Sequence, residues 1–170
     1  MRNVIIALDL GLDGAVVINH DPGNGSRQVI SHRMPVIKGK KPTLDIAGLR
    51  DILKPWDGLV VYERIGQIFQ SSKATAFSMG YQRGVIEALC VSMGFAYLDF
   101  PPKDWQKEMF TGTPEIKTKD DKRDTKAMAA AVAKRLNPTL VLNFPGMTKP
   151  VHDGLVDAYL IGEFVIRKNL

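Results

Sequence analysis

Two acidic residues follow directly on apolar runs that are typical of buried strands. Asp9 comes after Val4–Leu8, and Glu63 comes after Leu59–Tyr62. A carboxylate at the end of a buried strand is unfavourable unless a nearby cation compensates its charge. If the two strands are neighbours in one sheet, both carboxylates lie at the same edge of that sheet. The pattern therefore indicates a site that attracts cations.

A second pair of acids, Asp153 and Asp157, lies in a stretch with helical periodicity. Their spacing of four places both carboxylates on one face of a helix, where like charges repel. A divalent cation would relieve this repulsion, and oxygen ligands favour Mg²⁺ or Mn²⁺ over zinc. Two strand-end acids with a helical Asp pair are the arrangement that a two-metal phosphodiesterase needs.

Each of these acids also has a structural explanation when it is taken alone. Asp9 precedes a Gly turn and could simply form that turn, and Glu63 could be the charged end of an edge strand. Asp153 could cap a helix, and Asp157 could be surface-exposed. Only the combination of all four favours a metal site over the separate explanations.

The sequence resembles the RuvC family of Holliday-junction resolvases, and more closely its phage, poxvirus and fungal mitochondrial branch within the RNase H-like superfamily. The resemblance is carried by Asp9 with its Gly turn, by Tyr62-Glu63, by Gln67–Gly84 and by Asp153–Asp157. The spacing of the last pair fits the phage and mitochondrial pattern, whereas bacterial RuvC typically has one residue fewer. The interval between Glu63 and Gly80 is longer than in bacterial RuvC.

The resemblance implies roles for these acids and for two lysines. It implies that two Mg²⁺ ions per active site, with Mn²⁺ as a substitute, are held by Asp9, Glu63, Asp153 and Asp157. Lys107 and Lys126 match positions where the family has a lysine near the scissile phosphate. A lysine there would neutralise the charge that develops during phosphoryl transfer. The alternative is that both are solvated surface lysines.

Other residues are candidates for DNA contact. Phe69 resembles the aromatic residue at the junction centre in the family, where it could stack on an unpaired base, although a core position is the alternative. His152 is a possible helper, but a histidine beside such a pair is more often structural. The basic candidates are Lys38, Lys40, Lys41, Lys73, Lys117, Lys119, Lys122 and Arg123. Acidic neighbours dilute the cluster at residues 117–123, so a plain polar loop is the alternative there.

The order of predicted elements favours a single α/β domain over residues 1–170, with an RNase H-like fold in which helices flank a mixed five-stranded sheet. The predicted strands are Val4–Leu8, Ala15–Ile18, Gln28–Met34, Leu59–Tyr62 and Phe95–Leu98. The predicted helices are one capped by Thr43, one from Ser71 or Ser72 to Met93, residues 103–110, Lys126–Leu136 and Asp153–Arg167.

The helix that ends at Met93 is apolar on more than one face. One stripe contains Phe77, Tyr81, Val85 and Ala88, and the other contains Met79, Ile86, Cys90 and Met93. One stripe must cover the sheet, and either the C-terminal helices or a second copy of the chain would cover the other. Gly80 and Gly84 would let another backbone come close. A two-fold dimer supplies the two active sites that paired cuts require, and RuvC-like resolvases are homodimers.

Composition sets wider limits on the function. Hydrophobic residues make up 45% of the chain and charged residues 24%, as in soluble globular proteins. No apolar run approaches the ~20 residues of a membrane span, and a single cysteine, Cys90, suits a reducing cytoplasm. The net charge of +5 is compatible with a polyanionic partner.

These features predict a structure-selective endonuclease that cleaves Holliday junctions or branched DNA by Mg²⁺-dependent phosphodiester hydrolysis. The nearest alternative is a less selective RNase H-like nuclease that acts on RNA–DNA hybrids or branched DNA. A non-catalytic DNA-binding module would not place four carboxylates against phosphates. A member of the sugar-kinase and chaperone ATPase superfamily would need a second lobe, for which 170 residues leave no room.

Overall fold

The computed structural model describes residues 3–65 and 73–170. Its strands are β1 (Val4–Asp9), β2 (Ala15–His20), β3 (Gln28–Arg33), β4 (Val36–Ile37), β5 (Thr43–Leu44), β6 (Leu59–Glu63) and β7 (Ala96–Phe100). Five of them form one sheet in the order β3-β2-β1-β6-β7, and β4 pairs with β5 in a separate ribbon. Strand β2 is antiparallel to β1 and β3, while β6 is parallel to β1 and β7. The predicted mixed five-stranded sheet is confirmed.

Strand β1 lies at the centre of the sheet because both of its faces are apolar. Ile5 and Ala7 point into the core on one face, and Ile6 and Leu8 point into the core on the other. A continuous apolar run of this kind is typical of a strand that is covered on both sides. Asp9 therefore emerges at the end of a strand that is buried on both faces.

The helices are α1 (Ile46–Leu53), α2 (Lys73–Met93), α3 (Pro102–Met109), α4 (Thr125–Leu136) and α5 (Asp153–Lys168). Helices α3, α4 and α5 cover the face of the sheet that carries Ile5, and α1 and α2 cover the other face. Helix α5 contacts β1 and β2 directly. None of the helices that the structure describes combines the length and the hydropathy of a transmembrane span.

The first helix begins differently from the prediction. The sequence predicts Thr43 as its cap, but Thr43 pairs with Ile37 in the ribbon of β4 and β5. The cap is Asp45, whose Oδ1 accepts a hydrogen bond from the backbone N–H of Gly48 at 3.0 Å. The predicted caps of α2, Ser71 and Ser72, lie outside the described residues.

Helix α2 packs on the sheet with only part of its surface. Ile86 and Cys90 are buried, whereas Phe77 is 78% exposed and Tyr81 is 45% exposed. The C-terminal helices lie on the opposite face of the sheet, so the explanation that they cover the second stripe of α2 is wrong. Among residues 3–65 and 73–170, no element covers the outer face of α2 at Phe77 and Tyr81.

Polar contacts fix α2 to the neighbouring strands. The hydroxyl of Tyr62 donates to Glu87 at 2.8 Å, and Nε of Arg83 donates to the same carboxylate oxygen at 2.8 Å. Arg83 also lies 3.3 Å from a carboxylate oxygen of Asp99 on β7. Because Tyr62 precedes Glu63, these contacts hold α2 against the end of β6.

Candidate active site

The ends of β1 and β6 meet at one edge of the sheet. Leu8 pairs with Tyr62 in the parallel register, so Asp9 and Glu63, the next residues on each strand, lie side by side. Both residues are half-buried. Because β6 lies between β1 and β7, the alternative that Glu63 ends an edge strand is wrong.

A glycine lets α5 approach this edge. A Cβ atom built on Gly154 would lie 2.5 Å from Oδ2 of Asp9 and 2.9 Å from Cα of Gly14. A residue with a side chain does not fit there, so Gly154 lets the start of α5 pack on the turn between β1 and β2. Asp153 and Asp157 are thereby brought to Asp9. The sequence pattern does not single out Gly154, although glycine is disfavoured inside helices and could have been a signal.

Burial and neighbouring acids oppose the ionisation of Asp9 and Asp157. Burial raises the pKa of Asp9 to about 8, and the charges of Asp157, Glu63 and Asp153 add to that effect. Burial, followed by the charges of Glu63 and Asp153, raises the pKa of Asp157 to about 7. The pKa of Glu63 is also raised, mainly by burial. The carboxylates therefore act as one electrostatic unit.

Two of the four carboxylates are held by protein donors. Oδ2 of Asp153 accepts a hydrogen bond from Nζ of Lys126 at 2.5 Å. This bond raises the pKa of Lys126, so the ammonium stays charged. Oε2 of Glu63 accepts one from Nε1 of Trp105 at 2.8 Å.

The four carboxylates are possible ligands for a divalent cation. Within residues 3–65 and 73–170, no three His, Cys, Asp or Glu side chains converge closely enough to hold one metal ion as they stand. The donor chemistry still fits Mg²⁺ or Mn²⁺, because both take carboxylate oxygens. A cation would also remove the repulsion that raises the pKa of Asp9 and of Asp157. Lys126 supplies part of that positive charge.

Trp105 is a site residue that the sequence pattern does not reveal. It is buried on α3, and its indole N–H points to Glu63. A buried indole N–H usually finds an acceptor, and here the acceptor is one of the four acids. The sequence places Trp105 in a short helix, but nothing in the sequence indicates which residue its N–H reaches.

The acids lie beside a cleft of about 850 Å³. Asp9, Asp153, Asp157 and Lys126 line this carboxylate cleft. Glu63 does not line it, but its charge raises the pKa of both Asp9 and Asp157. The cleft therefore combines carboxylates that can hold cations with a lysine that can contact a phosphate.

Lys107 lies apart from the carboxylate cleft. It lines a second, basic cleft of about 350 Å³ together with Lys103, Gln106, Phe110, Thr111 and Arg123. The guanidinium of Arg123 lies over the ring of Phe110, 5.7 Å from its centroid. Because Lys107 and Trp105 are two residues apart on α3, they face roughly opposite sides of that helix. The structure brings Lys126 to the acids and does not bring Lys107 to them.

The other predicted DNA contacts are exposed and spread over the surface. Lys38, Lys40 and Lys41 lie between β4 and β5, Lys73 begins α2, and Lys117, Lys119 and Lys122 lie in the loop before α4. Within that loop Lys117 forms an ion pair with Asp121 at 2.7 Å. Phe69 lies outside the described residues.

His152 has a structural task at the start of α5. Its Nδ1 accepts a hydrogen bond from the backbone N–H of Leu155 at 3.1 Å, so His152 is the cap of the helix. The alternative that Asp153 is the cap is therefore wrong. Burial and the charge of Arg33 lower the pKa of His152, which favours the neutral ring that can accept this bond. His152 thus positions the turn that carries Asp153.

Comparison with known proteins bears on this fold. No family model matches the sequence, and no curated protein matches it. Among solved structures, Thermus thermophilus RuvC superposes with a TM-score of 0.60 at 17% identity, covering 98% of this chain and 96% of that one. The chain has the fold of RuvC. The RuvC and RNase H-like fold expected from the sequence is thereby confirmed.

Two further structures share this fold. The yeast mitochondrial Holliday junction resolvase Ydc2 has a TM-score of 0.61 at 10% identity, covering 96% of this chain and 77% of that one. The fowlpox virus resolvase in complex with substrate Holliday junction DNA has a TM-score of 0.53 at 12% identity, covering 98% of this chain and 99% of that one. The three proteins are a bacterial, a mitochondrial and a viral member of one fold.

Proposed function

We propose that this protein is a structure-selective endonuclease that cleaves Holliday junctions and other branched DNA by metal-dependent phosphodiester hydrolysis. The observation that carries the proposal is the cluster of four acids beside a cleft, in which burial and the charges of the others raise the pKa of Asp9, within a fold shared with Holliday junction resolvases. Four carboxylates without a cation would repel a DNA strand. With divalent cations they would attract its phosphates.

Each part of the site has a role in this proposal. Asp9, Glu63, Asp153 and Asp157 would hold two Mg²⁺ ions, or Mn²⁺ in their place. Such ions, when bound, activate water and stabilise the leaving oxygen. Lys126 already lies against Asp153 and would neutralise negative charge on the phosphate. Trp105 keeps Glu63 in place through its indole N–H.

The basic cleft would bind DNA away from the point of cleavage. Among the described residues, Lys103, Lys107 and Arg123 form no ion pair. Cations without a protein partner are available for phosphates, and such contacts provide affinity that depends on salt. We therefore assign Lys107 to binding rather than to the scissile phosphate. The exposed lysines at 38, 40 and 41 would contribute in the same way.

The proposal includes a homodimer formed through α2. Phe77, Tyr81 and Val91 are 78%, 45% and 70% exposed, which is unusual for apolar residues on one helix. A Cβ atom built on Gly80 or on Gly84 would meet nothing within 4 Å, so a second backbone has room to approach. Two active sites related by a two-fold axis would allow paired cuts across a junction.

A comparison of substrates tests the proposal. Purified protein is incubated in Mg²⁺, in Mn²⁺ or in EDTA with a labelled four-way junction, with linear duplex DNA and with an RNA–DNA hybrid. We expect paired cuts in the junction with either metal ion and none in EDTA. Equal or faster cleavage of the hybrid would favour a less selective RNase H-like nuclease. The absence of cleavage of all three substrates would contradict the proposal.

A further inference from the structure

Two cations line the carboxylate cleft without a role in the proposed hydrolysis. Arg33 lies at the end of β3, and Lys149 lies in the segment before α5. Both residues are exposed, and in the described part of the chain neither forms an ion pair. Lys126, by contrast, is already engaged by Asp153. Arg33 and Lys149 are therefore cations of this cleft that no described carboxylate already holds.

The sheet fixes how far Arg33 lies from the acids. Asp9 pairs with Ala15 in the register of β1 and β2, and Ala15 pairs with Arg33 in the register of β2 and β3. Directly opposed residues point to the same face of a sheet, so Arg33 and Asp9 project to one side. Two strand spacings separate their backbones by about 10 Å. Arg33 therefore lies on the same side of the sheet as the acids with β2 between them, and it can bind a group next to one that the acids hold.

Aromatic contacts hold the Arg33 side chain in place. Its guanidinium carbon lies 5.4 Å from the ring centroid of Phe144. Phe144 is buried, and it meets the ring of His152 edge-on with the two centroids 4.9 Å apart. A guanidinium stacked on an aromatic face keeps its N–H groups free at the rim and loses less entropy when it binds a phosphate. The chain therefore holds the planar guanidinium of Arg33 ready for a bidentate contact with two phosphate oxygens.

The segment that carries Lys149 is also supported. The backbone carbonyl of Lys149 accepts a hydrogen bond from Nδ2 of Asn143 at 3.3 Å, which closes a loop within the segment. Val151 from the same segment lines the cleft, and the backbone N–H of His152 donates to the carbonyl of Leu142 at 2.7 Å. Lys149 thus extends from a segment that is fixed near α5.

We propose that Arg33, assisted by Lys149, binds a backbone phosphate adjacent to the scissile one and so sets the position of the DNA strand in the carboxylate cleft. This inference rests on the proposed function, because it takes the occupant of the cleft to be a DNA strand. Arg33 is a positioning residue here, since it acts on a phosphate that does not react. Its effect therefore falls on binding and on KM rather than on kcat.

The test compares Arg33→Ala, Arg33→Lys and Lys149→Ala with Arg50→Ala. Arg50 is a matched control, because it lies on α1, pairs with Asp51 and lines neither cleft. The dissociation constant for a fluorescent four-way junction is measured in EDTA over a salt series. KM and kcat for the same junction are measured in Mg²⁺, and thermal unfolding checks the fold of each variant.

We expect Arg33→Ala to raise Kd and KM by roughly 10-fold and to reduce the salt slope by about one, with kcat within about 2-fold of the unsubstituted protein. Lysine at position 33 keeps the charge but loses the planar fork. Arg33→Lys should therefore restore the salt slope and only part of the affinity. Lys149→Ala should raise Kd and KM less, and Arg50→Ala should leave both unchanged.

Several results would decide against or for the inference. It is overturned if Arg33→Ala has the same Kd, KM and salt slope as Arg50→Ala. If Arg33→Ala does not fold, the same comparison is made with Lys149→Ala. The inference is also overturned if Arg33→Ala lowers kcat alone. If the unsubstituted protein binds the junction but cuts no DNA, the proposed hydrolysis fails. A weaker Kd for Arg33→Ala would then still support the phosphate contact.

Discussion

At the scale of single residues, the acids that form the site also destabilise the folded protein when they are ionised. In the folded protein the pKa of Asp9 is raised to about 8, whereas an unfolded Asp titrates near 3.9. The folded state therefore binds a proton more tightly than the unfolded state does. The contribution of Asp9 to stability is therefore largest below pH ~4 and is lost as the pH rises toward 8. A cation bound to the acids would offset this loss.

Asp9→Asn should therefore stabilise the metal-free protein at pH 8 and have little effect on its stability at pH 4. We expect a gain on the order of 1–3 kcal/mol at pH 8, because one pKa unit corresponds to about 1.4 kcal/mol and the coupled acids share the shift. Urea denaturation in EDTA at the two pH values measures it. Added Mg²⁺ should stabilise the unsubstituted protein more than the variant. A variant that is less stable at pH 8 would contradict the electrostatic account.

Kinetics should distinguish Lys126, which lies against the acids, from Lys40, which we assign to DNA binding. Lys126→Ala removes the ammonium next to Asp153, so we expect kcat on a junction to fall roughly 10²-fold while Kd changes little. Lys40 is exposed in the connection of β4 to β5 and does not line the carboxylate cleft. Lys40→Ala should weaken binding and flatten its salt dependence, with kcat unchanged at saturating DNA. Equal behaviour of the two variants would remove the basis for a catalytic lysine.

Residue types and spacing identify the four acids of the site, but they do not identify the residues that position these acids. A buried strand that ends in Asp or Glu is visible in a sequence, and so is a helical spacing of four. The hydrogen bond from Trp105 to Glu63 and the close approach of Gly154 to Asp9 depend on how separate elements pack. Lys107 shows the same limit, because its spacing from Trp105 on α3 turns it away from the acids.

At the scale of elements, α3 links the core to the site through one indole. Trp105→Phe keeps an aromatic ring in the core and removes the N–H that binds Glu63. Supports of metal-binding side chains typically contribute about 10–100-fold to affinity or activity. We therefore expect kcat/KM to fall by about 10-fold and the Mg²⁺ concentration that gives half-maximal activity to rise.

Trp56 offers the matched control for this substitution. It is partly buried on the opposite face of the sheet, where it meets the ring of His20 edge-on, 5.4 Å away. Trp56→Phe removes the same indole N–H on the face of the sheet opposite to Trp105, so activity should stay within about 2-fold. Similar losses of activity in both variants would show that ring size, not the bond to Glu63, is responsible.

The periodicity of apolar residues and the positions of Gly and Pro predict most of the strands and helices. The elements that they do not predict have physical causes. Strands β1 and β6 are visible as apolar runs, and helix α5 is visible from its periodicity. The ribbon of β4 and β5 is not, because strands of two residues are too short to show alternation. Thr43 therefore resembles a helix cap in the sequence. In the structure the cap is Asp45, two residues later, whose carboxylate accepts the hydrogen bond from the backbone N–H of Gly48.

At the scale of the whole molecule, the exposed face of α2 predicts assembly. We expect light scattering with gel filtration to give about twice the chain mass of 18.8 kDa. Phe77→Glu places a charge on this face and should produce a monomer. The monomer should nick a junction on one strand instead of making paired cuts.

The control for Phe77→Glu is Val141→Glu. Val141 is 65% exposed between α4 and α5, and its neighbours Leu140 and Leu142 pack in the core on the opposite face of the sheet from α2, so the same charge there should leave the dimer and the paired cuts intact. An unsubstituted protein that stays monomeric when bound to a junction would contradict both the dimer and the paired-cut mechanism.

Lys126 can neutralise only one partner at a time. While its ammonium holds Asp153, that carboxylate is a poorer ligand for a cation, and a phosphate that takes the ammonium sets the carboxylate free. DNA and Mg²⁺ should then strengthen each other's binding by the same factor, because a coupling free energy acts equally in both directions. The resting protein keeps Lys126 as an internal counter-ion, and in the proposed function the arrival of a strand would exchange it for a metal ion.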